Sequence, residues 1–320
     1  MCFPVCIFLH KRFLVPSVDS CGRFVSAWLF SVIACLASLP VMAEPVSVLE
    51  DYSFDHSAWS IELGAGLSEL SGLACDDKGR LFAHNDEEGT VYELDPETGR
   101  VIKRFFIERR YFFGKWRIDA DFEGIAIAGD RFFLVASDGR LFSFDEGADG
   151  TSVPAVEHDT FLHGGYDVEG LCYDPVGNEL LLACKQWPGA FSLKEIFFDR
   201  KLVDQRKELK PVFSFSLDSM ELEPTPRFVL DGHEIRELTG RKKFRPSAIE
   251  TCSGNSGFLV VSSSAGVIAH YDPAGKLVGA KRLSSPPHVQ PEGLTIDPQG
   301  RLFIGDEGTT TGRLTRYNME

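Results

Sequence analysis

Apolar and polar positions alternate in short bursts along residues 58 to 317, and the bursts recur. Five segments share one pattern: a Ser- or Glu-containing motif, an apolar run, a turn rich in Gly, Asp or Asn, and a second apolar run. They read LSGLACDDKGRLFAHND from Leu70, FEGIAIAGDRFFLVASD from Phe122, VEGLCYDPVGNELLLACK from Val168, PSAIETCSGNSGFLVVSSS from Pro246 and PEGLTIDPQGRLFIGDE from Pro291. The small residue of each motif is Gly72, Gly124, Gly170, Ala248 or Gly293, so the copies lie 52, 46, 78 and 45 residues apart. Short runs of this kind bounded by turn formers are strands, and almost none of the span carries the 3.6-residue period of a helix. Third strands follow in TVYELD from Thr90, RLFSFD from Arg140 and VIAHYD from Val267.

Repetition at this interval predicts an all-β, five-bladed β-propeller with four-stranded antiparallel blades. The 78-residue interval is the exception: an insertion around residues 186–210 precedes PVFSFSLD, which resumes the third strand. After Pro291 there is room for three strands only. Ala58 to Leu63 (AWSIEL) is therefore expected to supply the missing outer strand and lock the ring.

The first 43 residues read differently. Arg23 precedes an apolar run from Phe24 to Leu39, then Pro40 and Val-Met-Ala, which is the pattern of a secretory signal peptide cut after Ala43. The run is short for a membrane span. A second reading takes Val32-Ile33-Ala34-Cys35 as a lipoprotein box that leaves Cys35 acylated. Residues 44–320 are then expected to be one exported, monomeric domain, in the periplasm or cell envelope or associated with a membrane. Four of eight cysteines fall in the leader. Of the others, Cys75, Cys172, Cys184 and Cys252, none has metal-ligand spacing, and Cys172 and Cys184 lie on neighbouring strands where they could meet, although buried free thiols are the expected state.

Composition adds exclusions. With 320 residues and 43% hydrophobic content the chain buries a large core, and a net charge of −14 repels nucleic acid and anionic lipid while favouring cations. The repeats say where a cation would go. In a propeller the first strand of each blade lines the channel and the second returns to the mouth where the first began. One ring of positions is Ser71, Glu123, Glu169, Ser247 and Glu292; a second is Asp86, Asp138, Lys185, Ser263 and Glu307. Carboxylates gathered so closely cannot all stay ionised without a positive neighbour. Ca²⁺ suits an all-oxygen donor set, with Glu123, Glu169 and Glu292 at its centre and Asp86 and Glu307 beside them, whereas Zn²⁺ would want His and Cys. Lys185 could balance two carboxylates with no metal present.

The order LSGL, D-x-EGI, EGL, a Pro-Ser variant and PEGL resembles the SdiA-regulated family of bacterial β-propellers, and more distantly NHL-type and phytase-like esterase propellers. The likeness spans roughly Ser57 to Tyr317. It implies a five-bladed, calcium-binding propeller of the cell envelope with a proposed hydrolytic activity. The chain departs from the family in its insertion and at Ser247-Ala248.

Two functions follow: a module that binds a small molecule or an envelope partner beside the cation, or a calcium-dependent hydrolase of an ester, lactone or phosphoester. His288, in the loop before the fifth motif, and His84, near Asp86, are the candidate bases. No nucleophile elbow, phosphate loop or zinc motif is present. The basic stretch Arg236 to Arg245 reads as a solvated loop that could dock an acidic partner or a membrane surface.

Overall fold

Each of the five motifs opens a sheet, and the sheets follow one another round a ring. The computed structural model describes residues 46–111, 114–188 and 207–320; the expected leader and residues 189–206 of the expected insertion lie outside them. Strand β1 (Trp59–Glu62) precedes the first motif. Blade 1 holds β2 (Leu70–Cys75), β3 (Leu81–Asn85), β4 (Thr90–Leu94) and the long β5 (Val101–Tyr111), on whose far end β6 (Gly114–Arg117) folds back. Blade 2 holds β7 (Phe122–Ala128), β8 (Arg131–Ala136) and β9 (Leu141–Asp145). The chain then pairs in parallel with β5 as β10 (Ser152–Pro154) and closes blade 2 as β11 (Val156–His158). Blade 3 holds β12 (Val168–Asp174), β13 (Glu179–Cys184) and β14 (Leu209–Ser216), with β15 (Glu221–Leu222) and β16 (Phe228–Asp231) sharing its outer edge. Helix α1 (Gly232–Thr239) leads to blade 4: β17 (Ala248–Thr251), β18 (Phe258–Ser262), β19 (Val267–Tyr271) and β20 (Leu277–Arg282). Blade 5 holds β21 (Pro291–Ile296), β22 (Leu302–Asp306) and β23 (Arg313–Tyr317).

Strand β1 completes blade 5 as expected, antiparallel to β23 with Trp59 opposite Arg316 and Glu62 opposite Arg313. A second element, absent from the sequence reading, reinforces this closure. Residues Val48–Asp51 form one 3₁₀ turn, and Leu49, Tyr52 and Phe54 bury themselves between blades 4 and 5. Lys281 Nζ donates to the Leu49 carbonyl at 2.7 Å and the Tyr52 hydroxyl to that of Gly300 at 2.9 Å. Burying three such side chains is worth about 1.5–3 kcal/mol each.

The five buried apolar clusters each lie between two neighbouring blades, the last of them between blades 5 and 1. Sheet faces therefore pack on sheet faces all the way round, which is why second strands such as ELLLAC and FLVVS are buried almost throughout instead of alternating. The inner strands β2, β7, β12, β17 and β21 contact one another in that order, and β21 returns to β2.

The expected free thiols are found: Cys172 lies opposite Leu181 and Cys184 opposite Val168, so the two sit at different positions along the β12–β13 pair, and all four described cysteines are free. One expectation is corrected. Arg236 to Thr239 belong to α1, which Asp231 caps at its start and left-handed Gly240 ends at φ 72°, so only the remainder of the basic stretch is loop.

Candidate functional site

The strand pairing shows what the repeated motif does. Register slips between Leu70 and Gly72, Phe122 and Gly124, Val168 and Gly170, and Pro291 and Gly293, which leaves Ser71, Glu123, Glu169 and Glu292 as the extra residue of a β-bulge. In blade 4 the Ser247 amide donates to the Val261 carbonyl at 2.9 Å, beside the Ala248–Val261 pair. A bulge takes a side chain out of the strand's alternation and re-aims it. The following glycine lets inner strands close together: a Cβ on Gly124 would lie 2.8 Å from the Leu171 amide nitrogen, and one on Gly170 3.0 Å from that of Ile249. The next residue, Leu73, Ile125, Leu171, Ile249 or Leu294, is buried in every blade, and the five make an aliphatic plug across the channel. The channel thus has two ends, an upper mouth where the inner strands begin and a lower mouth where they finish.

At the upper mouth Ser71, Glu123, Glu169 and Glu292 surround a space of about 10 Å³ above the plug, room for one water-sized body. Lys185 reaches in from the end of β13, its Nζ 2.5 Å from Glu169 Oε1. Gln290 Nε2 donates to Glu292 at 3.1 Å and also to Glu307. All three glutamates are pushed above the usual carboxylate range, first by burial. Glu169 and Asp121 add to the rise at Glu123, and Glu307 to that at Glu292, while Lys185 opposes it at all three. Burial opposes the charge of Lys185, but Glu169 outweighs it and holds the ammonium above its ordinary pKa. Protons are therefore shared across the group. Among the described residues no three His, Cys, Asp or Glu side chains are spaced to chelate one ion as they stand.

The second ring divides. Asp86 keeps a buried Oδ1 without a hydrogen-bond partner, and burial followed by the charge of Glu69 pushes it up to about 6. It opens on a cleft of about 680 Å³ with Glu87, Glu88, Asp119 and Asp121. Asp138 turns away to Arg140 Nε at 2.8 Å, as a turn residue. Ser247 Oγ accepts from the Ser263 amide at 3.1 Å and donates to the Pro291 carbonyl at 2.7 Å, a tie between blades 4 and 5.

Neither histidine stands at the mouth as a free base. His288 is 4% exposed, and its two nitrogens are taken by Asp306 Oδ2 and the Tyr317 hydroxyl, each at 2.7 Å. Its loop curls back, with the His288 amide on the Ser284 carbonyl at 3.0 Å, so the ring points into blade 5. His84 is wholly buried opposite Gly72, where the missing Cβ makes room for the imidazole. Its Nδ1 lies 2.9 Å from the Asn85 carbonyl, its Nε2 has no partner, and burial depresses its pKa to about 4.

The lower end holds a group the repeats did not flag. Glu250 occupies the position of Ala74, Ala126, Cys172 and Thr295 in the other inner strands, and that misfit in an otherwise small-residue column was the available signal. Its Oε1 accepts from the Thr251 amide at 2.7 Å, and Thr295 and the Ile296 amide also hydrogen-bond the carboxylate. Thr295 Oγ1 in turn accepts from the Cys75 amide at 3.0 Å, and Thr251 Oγ1 lies 3.1 Å from the Tyr173 carbonyl. A polar girdle thus ties blades 1, 5, 4 and 3 above a chamber of about 720 Å³, and burial pushes Glu250 up to about 7.

Comparison with known proteins supports the architecture. Residues 269–317 match the model of the strictosidine synthase-like N-terminal family. Comparison with curated proteins finds no match. Glutaminyl cyclase of Myxococcus xanthus superposes with a TM-score of 0.52 at 17% identity, over 83% of this chain and 96% of that one. The PQQ-bound aldose sugar dehydrogenase of Streptomyces coelicolor does so with 0.50 at 12% identity, over 83% and 98%. Identity this low speaks for the fold alone: the chain is a five-bladed β-propeller, similar to the strictosidine synthase-like N-terminal family over residues 269–317.

Proposed function

We propose that this chain is an exported, calcium-binding propeller of the SdiA-regulated family, which binds a ligand or partner at the upper mouth with the cation seated among Glu123, Glu169 and Glu292. One observation carries the reading: three carboxylates from three blades meet beside a single ammonium in a space of about 10 Å³. Fully ionised, they exceed Lys185 by two negative charges, which is the complement of one divalent ion. Carboxylate, hydroxyl and amide oxygens are the donors Ca²⁺ takes. Glu123, Glu169 and Glu292 would hold it, with Glu307 and Asp86 at the margin and Ser71 in reach; the ion's chemistry there is charge compensation. For it to bind, Lys185 leaves Glu169, the carboxylates draw together and the shared protons depart. A binding module is preferred to a hydrolase because His288 and His84 are both buried within blades. The family assignment rests on the five motifs in order, and export to the periplasm or envelope on the leader pattern.

Thermal unfolding of the exported protein tests this. Calcium at a hundredfold excess over Kd stabilises the folded state by about 2.7 kcal/mol, a rise in Tm of roughly 5 °C for a domain of this size. Identical melting in chelator and in calcium would overturn the proposal.

A further inference from the structure

The upper face carries cations that the acidic mouth does not neutralise. Lys210, Arg241, Lys242, Lys243, Arg245 and Arg282 form no ion pair among the described residues; Glu208, beside Lys210 in sequence, pairs with Arg236 at 3.8 Å. In a chain of net charge −14, four exposed and unpaired cations within residues 241–245 invert the local sign. The loop that bears them is fixed. Phe244 is 1% exposed and anchors it in the core between blades 3 and 4. Ser264 Oγ donates to the Lys243 carbonyl at 2.7 Å, the Arg245 amide donates to Ser262 Oγ at 3.0 Å, and Gly240 and Lys243 both adopt left-handed backbone. The backbone is pinned while the charged ends point outward.

A second observation lies behind the loop. Lys210 is 5% exposed, and its Nζ donates to the carbonyl of Lys207 with no carboxylate in ion-pair range among the described residues. Burial of this ammonium is costly: burial and then the neighbouring Arg245 lower its pKa, and the nearby charge of Glu208, outside ion-pair range, only partly opposes them. Arg282 spends its guanidinium on the Thr239 carbonyl, with Nε at 2.8 Å, and so adds a further positive charge to the same edge. Ser247, two residues beyond Arg245, belongs to the upper ring, so the backbone of Arg245 lies within about 7 Å of that ring along the chain.

We propose that the Arg241–Arg245 loop, backed by Lys210, is an anion site for a phosphate-bearing group, separate from the glutamate cluster. Several convergent cations, two of them guanidinium forks, match the charge and the tetrahedral oxygens of a phosphate better than a single carboxylate. Two sources share that chemistry, a soluble phosphate ester and the headgroup of an anionic bilayer. Binding is measured on the full exported chain in chelator, so that the outcome is independent of calcium. The probes are glycerol 1-phosphate by calorimetry, and vesicles of phosphatidylcholine with and without phosphatidylglycerol by co-sedimentation, in low and in moderate salt. Binding of glycerol 1-phosphate identifies a soluble ester; binding to phosphatidylglycerol vesicles alone identifies the headgroup. In either case R241Q/K243Q/R245Q is expected to weaken binding at least tenfold with unchanged melting, while Lys276→Gln, at the opposite end of the propeller, leaves it intact. The proposal is overturned if neither probe binds in low salt, or if the triple variant binds as the wild type does.

Discussion

The two ends of the channel both bury glutamates, yet they treat them differently. At the lower end Glu250 sits in regular strand pairing, and fixed donors from its own ring, the amides of Thr251 and Ile296 and the side chain of Thr295, satisfy it. At the upper end Glu123, Glu169 and Glu292 are bulge residues outside the ladder. Glu123 accepts no hydrogen bond among the described residues, and Glu169 and Glu292 rely on the side-chain ends of Lys185 and Gln290. Burial raises all four. What separates a structural carboxylate from one that can exchange its partner is therefore the source of its donors: backbone that cannot leave, or side chains that can. Five buried aliphatic side chains lie between them.

Breaking the plug should have the largest effect. Leu171→Asp places an unpaired charge among the four remaining aliphatic side chains of the plug, and urea unfolding should show a loss above about 4 kcal/mol, against about 2–5 for Leu171→Ala. A tolerated aspartate would mean that the aliphatic layer is not dry and close-packed. The next contrast is between the ends themselves. Glu250→Leu strands the donors of the girdle and should cost about 1–3 kcal/mol without altering calcium affinity. Glu169→Gln should leave calcium-free stability nearly unchanged, or raise it by easing repulsion, and lower calcium affinity.

The pH dependence of the calcium-free protein sharpens the comparison. A carboxyl raised in the folded state contributes stability that is complete below its ordinary pKa and is lost as pH rises through the folded value. That loss runs upward from the ordinary 4.5 of glutamate and 3.8 of aspartate, through about 6 for Asp86 and about 7 for Glu250, with the upper glutamates adding to it. His84 has the opposite sign: depressed to about 4, it contributes stability above its ordinary 6.5 that is lost as pH falls through 4. Melting temperature in chelator should thus fall from mildly acidic to alkaline pH and fall again in acid. The alkaline limb should flatten in Glu123→Gln and the acid limb in His84→Gln; unchanged limbs would remove these groups from the account. The smallest expected effect is at Lys185. If it is a displaceable counter-ion, Lys185→Met raises calcium affinity by roughly tenfold, about 1.4 kcal/mol, whereas a purely structural lysine predicts lost stability and no calcium binding.

The sequence made the blades legible because the repeat is long and each copy shows strand periodicity. It also placed Glu123, Glu169 and Glu292 on one mouth, because equal positions in a repeat become one ring. It could not show why glutamate precedes glycine: the bulge is a matter of register between strands, and only pairing reveals that Glu169 is the extra residue. His288 was misdirected by proximity in sequence, since the turn from Ser284 swings its ring toward Asp306 and Tyr317 instead of the channel. Leu49, Tyr52 and Phe54 were missed because so short an irregular segment has no period, and only the groove between blades 4 and 5 gives it a reason to be apolar. Glu250 departs from the repeat, standing where the other four inner strands carry a smaller residue, so the repeat itself does not mark it.

In the reading proposed above, the upper glutamates hold exchangeable protons and a displaceable lysine that give way to a divalent ion. Calorimetric titration of the metal-stripped protein with calcium, repeated at neutral pH in two buffers of different ionisation enthalpy, measures binding and proton release together. The account predicts one ion per chain, with apparent heats that differ between the buffers because protons leave the cluster, and with that difference reduced in Glu123→Gln. No binding heat in either buffer, or binding that releases no protons and is indifferent to Glu123, Glu169 and Glu292, would contradict it.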